Sequence, residues 1–150
     1  MRKRKKNIKE IWDTYTEGWF GAIVYVVLGF LIAFFLNTAL GIALQTDTPV
    51  VAVFSNSMVP TYYKGDLIFV QHADEVSAGD IIVFDAPAYR YPIIHRVISI
   101  EEGVITTKGD NNVNPDPWKT TVDEIHGKSV LRVPFLGWVK VGLFEILGLA

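Results

Sequence analysis

The most prominent pattern in the chain is an apolar stretch close to its N-terminus. No charged residue occurs from Gly18 through Thr46, and the stretch from Trp19 to Leu36 is apolar or aromatic without a break. Such a length is typical of a helix that crosses a bilayer, because in lipid only a helix satisfies the backbone hydrogen bonds of a single segment. The pattern predicts an uncleaved transmembrane helix over residues 18–46. A cleaved signal peptide is the alternative, although its apolar core is usually shorter, about 7–15 residues.

Beyond this stretch the pattern changes to short apolar runs that are rich in β-branched residues and separated by Gly, Asp and Asn. No segment between residues 48 and 132 repeats apolar residues at helical spacing. The runs that predict strands are Pro49–Phe54, Leu67–Val70, Ile81–Phe84, Ile93–Ile100, Val104–Thr107 and Ser129–Val133. They predict a mainly β fold, a small antiparallel β-barrel-like domain over residues 47–134.

The C-terminal segment, residues 135–150, is again apolar, and Lys140 and Glu145 are its only charged residues. Three arrangements fit this pattern: docking on the β domain, lying in the membrane interface, or starting a second membrane helix. Because the segment is short for a membrane span, we expect a membrane-interfacial or docked segment.

The charge distribution predicts how the chain is oriented in a membrane. Residues 1–17 carry six basic and three acidic side chains, whereas the whole chain has a net charge of −2. Basic residues next to a membrane helix stay in the cytoplasm, so we expect residues 1–17 to be a cytoplasmic tail and residues 47–134 to lie outside. The rest of the chain is acidic, so we expect no nucleic acid as a partner. There is no Cys, which excludes disulfides and thiol chemistry.

A few polar residues stand where they could carry chemistry. Ser55 and Ser57 directly follow the first predicted strand, His95 lies within a strand, and Asp110 and Asp116 occupy one loop. A hydroxyl, an imidazole and a carboxylate are the groups of a nucleophilic site, with the imidazole as the proton acceptor near neutral pH. Taken singly, each has a plainer reading, as a turn serine, a structural strand histidine or a solvated surface aspartate. No set of ligands has metal-binding spacing and there is no nucleotide motif, so we expect no metal and no cofactor.

Five segments of the chain together resemble type I signal peptidases, and they stand in the order of that family. They are Ser55-Asn56-Ser57-Met58-Val59-Pro60-Thr61 with Lys64-Gly65-Asp66, Gly79–Phe84, Ile94-His95-Arg96-Val97, Thr107–Asn112 followed by Asp116, and Gly137-Trp138-Val139. Bacterial members of the family use a lysine as the base. Here His95 stands at that position, which resembles the archaeal and endoplasmic-reticulum branch.

The resemblance implies a membrane-bound serine endopeptidase that cleaves N-terminal signal peptides from exported preproteins after small residues at −1 and −3. It implies Ser57 as the nucleophile, His95 as the general base and an aspartate that completes the site. Ser55 and Met58 are the candidate oxyanion and substrate-binding residues. The resemblance does not decide between the aspartates. Because Asp116 lies between two stiffening prolines, we expect it to be the partner of His95 and Asp110 to be a support.

The same resemblance implies the surroundings of the protein. The expected partners are signal peptides, the lipid bilayer and accessory membrane subunits. The expected location is the cell membrane or the endoplasmic reticulum membrane, with a single pass and an extracytoplasmic catalytic domain. Two alternatives remain: a related processing peptidase with a narrow substrate, and a non-enzymatic, membrane-anchored β binding module.

Overall fold

The computed structural model describes residues 7–9, 12 and 18–148. The chain divides into two compact units, Met1–Ala39 and Leu40–Ala150. Most of the basic tail predicted at residues 1–17 lies outside the described residues, as do the last two residues of the C-terminal segment.

Helix α1 spans Gly18–Leu44. In the described part of the chain it is the one helix long and apolar enough to cross a membrane. Its apolar side chains are exposed around the whole circumference, and Gly21 is its only buried residue. A helix that is apolar all round suits a lipid environment. It ends where Gln45 adopts a φ of 54° and the backbone N–H of Thr46 donates to the carbonyl of Gly41, as in other helix termini with a left-handed residue.

Six antiparallel strands form one sheet after α1. They are β1 (Val50–Ala52), β2 (Leu67–Gln71), β3 (Ile81–Phe84), β4 (Ile93–Glu101), β5 (Val104–Lys108) and β6 (Ile125–Val133). Their order in the sheet is β1-β2-β6-β3-β4-β5. The prediction of a mainly β, antiparallel fold behind one N-terminal apolar helix is confirmed. The sheet is not closed into a barrel, because β1 pairs only with β2 and β5 pairs with β4 among the described strands, so the barrel-like description is loose.

The sheet has an apolar core on each face. Neighbouring residues of a strand point to opposite faces, and accordingly Ile82 and Val83 of β3 belong to different clusters of buried side chains. Val83 packs in the cluster that also contains Met58, which is 1% exposed. Since Met58 directly follows Ser57, its burial fixes the loop that carries the candidate nucleophile.

Strand β6 begins earlier than predicted. The prediction of a start at Ser129 was wrong, because Ile125, Gly127 and Lys128 already pair with β3, and Lys128 also pairs with β2. The register shifts opposite this region, and Gly127 adopts a φ of 142°. A side chain on Gly127 would collide with the backbone of Gln71. The glycine therefore belongs to an irregularity inside the strand and does not end it.

The C-terminal segment contains a short helix, α2 (Trp138–Ile146). Val141 is completely buried against the β domain, and the backbone of Gly137 lies close to that of Asp66. With nine residues the helix is too short to span a bilayer. The side of α2 that carries Val139, Leu143 and Ile146 is exposed.

Candidate active site

Ser57 lies in the loop that follows β1, and a second loop holds this loop in place. The carbonyl of Ser57 accepts a hydrogen bond from the backbone N–H of Asn111 (2.7 Å), and the carbonyl of Asn56 accepts one from the Asn111 side chain (3.2 Å). The Asn56 side chain in turn accepts from the backbone N–H of Lys64 (3.1 Å). The carbonyls of Asn56 and Ser57 are thus both hydrogen-bonded. Ser55 and Ser57, on the same loop, line the cleft.

His95 on β4 reaches the hydroxyl of Ser57. The residue is 5% exposed, and its Nε2 atom lies 3.1 Å from Ser57 Oγ. Gly109 makes this approach possible. A Cβ atom at position 109 would lie 2.9 Å from His95 Nε2 and 2.7 Å from the Ser57 carbonyl oxygen.

Asp116 lies on the other side of the His95 ring. Its Oδ2 atom is 2.6 Å from His95 Nδ1 and also accepts a hydrogen bond of 2.6 Å from Thr107 Oγ1. The backbone N–H of Asp116 donates to the Thr107 carbonyl (2.9 Å), which ties the loop to β5. Asp116 and Thr107 are both buried, so this carboxylate is screened little by water.

Asp110 has a different partner. Arg96 binds its carboxylate with two nitrogens, Nε at 2.8 Å and Nη2 at 2.7 Å, and the Thr61 hydroxyl donates to the same group. The hydrogen bond from Arg96 holds the pKa of Asp110 below its ordinary value, against the opposing effect of burial. The same contact raises the pKa of Arg96. Because Arg96 also donates to the Gly79 carbonyl (2.8 Å), the group joins the nucleophile loop, β4 and two turns.

Ser55 and Met58 flank the candidate nucleophile in different ways. Ser55 is exposed, and its Oγ lies 3.1 Å from Ser57 Oγ and 3.5 Å from the Ser57 backbone nitrogen. The Ser57 backbone N–H points to Ser55 Oγ, so the two groups lie side by side next to the candidate nucleophile. The Met58 side chain is buried in the core, although it also lines the cleft.

A cleft of about 550 Å³ opens over Ser57 and His95. Its other walls are mostly apolar and include Phe54, Tyr91 and Ile93. No group of three or more His, Asp or Glu side chains within the described residues could hold a metal ion.

Thr107 and Arg96 belong to the site but were not predicted from the sequence. Thr107 did carry a signal, since it shares the buried face of β5 with Ile105 and a buried hydroxyl needs a partner. Arg96 directly follows His95, so alternation directs it to the opposite face, and nothing in the strand pattern indicates its partner.

The row of hydrogen bonds from the Asp116 carboxylate through the His95 imidazole to the Ser57 hydroxyl indicates a class of reaction. A carboxylate at Nδ1 keeps the proton on that nitrogen, so the lone pair of Nε2 faces the serine hydroxyl and accepts its proton. This row is the geometry of a serine hydrolase acting on acyl groups.

Comparison with known proteins identifies the family. The family model described as Peptidase S24-like matches residues 34–130. The chain is 36% identical to the signal peptidase complex catalytic subunit of Scheffersomyces stipitis, over 84% of this chain and 82% of that protein. It is 31% identical to the corresponding subunit of Lodderomyces elongisporus, over 81% of this chain and 87% of that protein. The chain belongs to the S24-like peptidase family, in the group that contains these catalytic subunits.

Proposed function

We propose that the protein is a membrane-bound serine endopeptidase that cleaves N-terminal signal peptides from exported preproteins. The observation that carries the proposal is the continuous row of hydrogen bonds from Asp116 through His95 to Ser57. The apolar helix α1 and the similarity to signal peptidase catalytic subunits support the membrane setting and the substrate class.

In the proposed reaction His95 Nε2 takes the proton of Ser57, and Ser57 Oγ attacks the carbonyl carbon of the scissile peptide bond. Asp116 stabilises the imidazolium that forms. The Ser57 backbone N–H, which donates to Ser55 Oγ in the structure, donates instead to the developing oxyanion, and the adjacent Ser55 hydroxyl donates to it as well. His95 then protonates the leaving amine, and water hydrolyses the acyl-enzyme by the same route.

The cleft suits an extended peptide. Strand β1 is paired on one side only in the described sheet, so a peptide that adds beside it would find unpaired backbone groups. Alternate side chains of such a peptide point into the cleft, so the side chains at −1 and −3, where we expect a preference for small residues, would lie on the same side. A narrow-substrate processing peptidase would share the chemistry but not this preference.

We further propose the membrane arrangement. The N-terminus is cytoplasmic, α1 spans the cell membrane or the endoplasmic reticulum membrane once, and the β domain acts on the outer side. The exposed apolar side of α2, with Val139, Leu143 and Ile146, lies in the membrane interface. Because the similar proteins are named as subunits of a signal peptidase complex, we expect accessory membrane subunits as partners.

The test is preprotein cleavage by the full chain in lipid vesicles. Ser57→Ala should abolish cleavage because it removes the nucleophile, whereas Ser77→Ala, at an exposed serine outside the cleft, should leave it unchanged. Melting temperatures establish that both variants are folded. A Ser57→Ala protein that cleaves the preprotein at the full rate would overturn the proposal. Cleavage that is indifferent to a large aromatic residue at −1 would favour the narrow-substrate peptidase.

A further inference from the structure

The C-terminal helix α2 reaches the active-site cleft with its last turn. The Phe144 ring packs against the rings of Phe54 (5.7 Å between centroids) and Tyr91 (5.8 Å). Phe54 and Tyr91 stack on each other at 6.2 Å, with their planes only 12° apart. Both belong to the lining of the cleft, and so does Glu145, the residue after Phe144.

The helix is held in this place by the segment that follows the candidate nucleophile. Lys64 Nζ lies 2.6 Å from Glu145 Oε1, at the cleft, and 5.9 Å from the centre of the Trp138 ring. Gly65 leaves the room for Trp138, because a Cβ atom at position 65 would lie 2.0 Å from the indole nitrogen. The first and last turns of α2 are therefore both fixed against residues 64 and 65.

The three rings lie close to the reacting serine, and the chain sets an upper limit on the distance. Phe54 is three residues before Ser57 along the chain, so the two backbones are at most about 10 Å apart at ~3.3 Å per residue. A peptide strand lying in the cleft has the same rise per residue. Side chains within about four positions of the scissile bond would therefore reach the rings, and −2 and −4, which alternate with the small residues at −1 and −3, are the positions open to a large side chain.

We propose that α2 is part of the substrate cleft, and that Phe144 is a positioning residue that holds Phe54 and Tyr91 as an apolar subsite for the signal peptide. This inference rests on the proposed function. The subsite would take large apolar side chains several positions away from the scissile bond, because stacked rings offer a broad apolar surface. Phe144 is not among the residues that line the cleft beside Ser57 and His95 and reaches it through Phe54 and Tyr91, so its effect falls on peptide binding and not on bond cleavage.

The test separates binding from chemistry. A fluorescent peptide that carries a signal sequence is titrated into the full-length Ser57→Ala protein, with and without Phe144→Ala, in the same vesicles. Loss of two ring contacts should raise the Kd about tenfold. In the protein with an intact Ser57, Phe144→Ala should raise KM by a similar factor and change kcat less than about twofold.

Three further variants separate this role from general stability. Phe144→Tyr should restore most of the affinity, since the ring is kept, and Val104→Ala, at an exposed residue of β5 outside the cleft, should have no effect. Lys64→Glu and Glu145→Lys should each weaken binding, and the double variant should recover it. These measurements are paired with melting temperatures.

Peptide sequence provides the final criterion. Peptides with Leu or Asn at −2 or −4 should show a preference for Leu at one or both positions, and Phe144→Ala should reduce that preference. Unchanged Kd and KM in Phe144→Ala, with cleavage still dependent on Ser57, would overturn the inference and leave the proposed function standing. A Phe144-dependent Kd without any cleavage by the intact protein would support the inference and overturn the proposed function.

Discussion

Replacing Asp116 by Asn tests the reaction geometry most directly. The two side chains have the same shape, and the amide oxygen of Asn accepts the hydrogen bonds from Thr107 and from His95 Nδ1 in place of the carboxylate. The variant therefore keeps the orientation of the ring and removes one negative charge. That charge matters when His95 becomes positively charged in the transition state.

The magnitude follows from the contact. The Nδ1–Oδ2 distance is 2.6 Å, and both side chains are buried, with 6% and 5% of their surface exposed. Two unit charges about 4 Å apart attract by about 4 kcal/mol at an effective dielectric constant of about 20. At 1.4 kcal/mol for each tenfold change in rate, Asp116→Asn should lower kcat by about 10³-fold. Asp110→Asn should cost about tenfold or less, because Asp110 binds Arg96 and acts on the site only through the loops it joins.

The assay is single-turnover cleavage of one preprotein by the wild type and both variants in vesicles of the same lipid, with melting temperatures recorded alongside. Single-turnover rates report the chemical step without product release. The reasoning would be refuted if Asp116→Asn kept more than a tenth of the wild-type rate. It would equally be refuted if Asp110→Asn lost more activity than Asp116→Asn at unchanged stability.

Three further outcomes are expected. Ser55→Ala should reduce kcat by about 10²–10³-fold with little change in KM, because it removes a donor to the oxyanion; equal changes in both constants would contradict this role. Hydrogen bonding to Arg96 lowers the pKa of Asp110, so its contribution to stability is present above about pH 4 and is lost as the pH falls through the lowered value. The wild type should therefore melt above Asp110→Asn at pH 7, and the difference should shrink toward pH 3; a constant difference would argue against the ion pair. Gly65→Ala should lower the melting temperature, since the added Cβ meets the Trp138 ring and the residue has a φ of 90°, and an unchanged melting curve would show that α2 is not packed there.

The predictable parts of the fold were those set by local pattern. The run Ile81–Phe84 is rich in β-branched residues, is bounded by turn residues and forms a strand with the predicted bounds. The start of β6 was not predictable, because a glycine that ends a strand and one that allows an irregularity within it look alike in sequence. The helical form of Trp138–Ile146 depends on packing of Val141 and Trp138, which no local rule supplies.

The candidate site, too, was predictable only where local sequence and residue type decide. Residue types and the family resemblance selected Ser57, His95 and both aspartates. Which aspartate faces the imidazole depends on how the loop after β5 turns back to Thr107, and this is a tertiary contact. The ion pair of Arg96 with Asp110 joins residues 14 positions apart, and no periodicity connects them.

Gly109 lies close to the Ser57 carbonyl and to the His95 ring, so its loop also sets the space between the two reacting residues. Gly109 does not need its flexibility here, since its φ is not in the left-handed region; it is needed for clearance. A single methyl group would intrude between the serine carbonyl and the imidazole and force them apart. The capacity for proton transfer thus depends on one missing side chain as well as on the ionisable groups, and a protein could keep every one of those groups and still be inert.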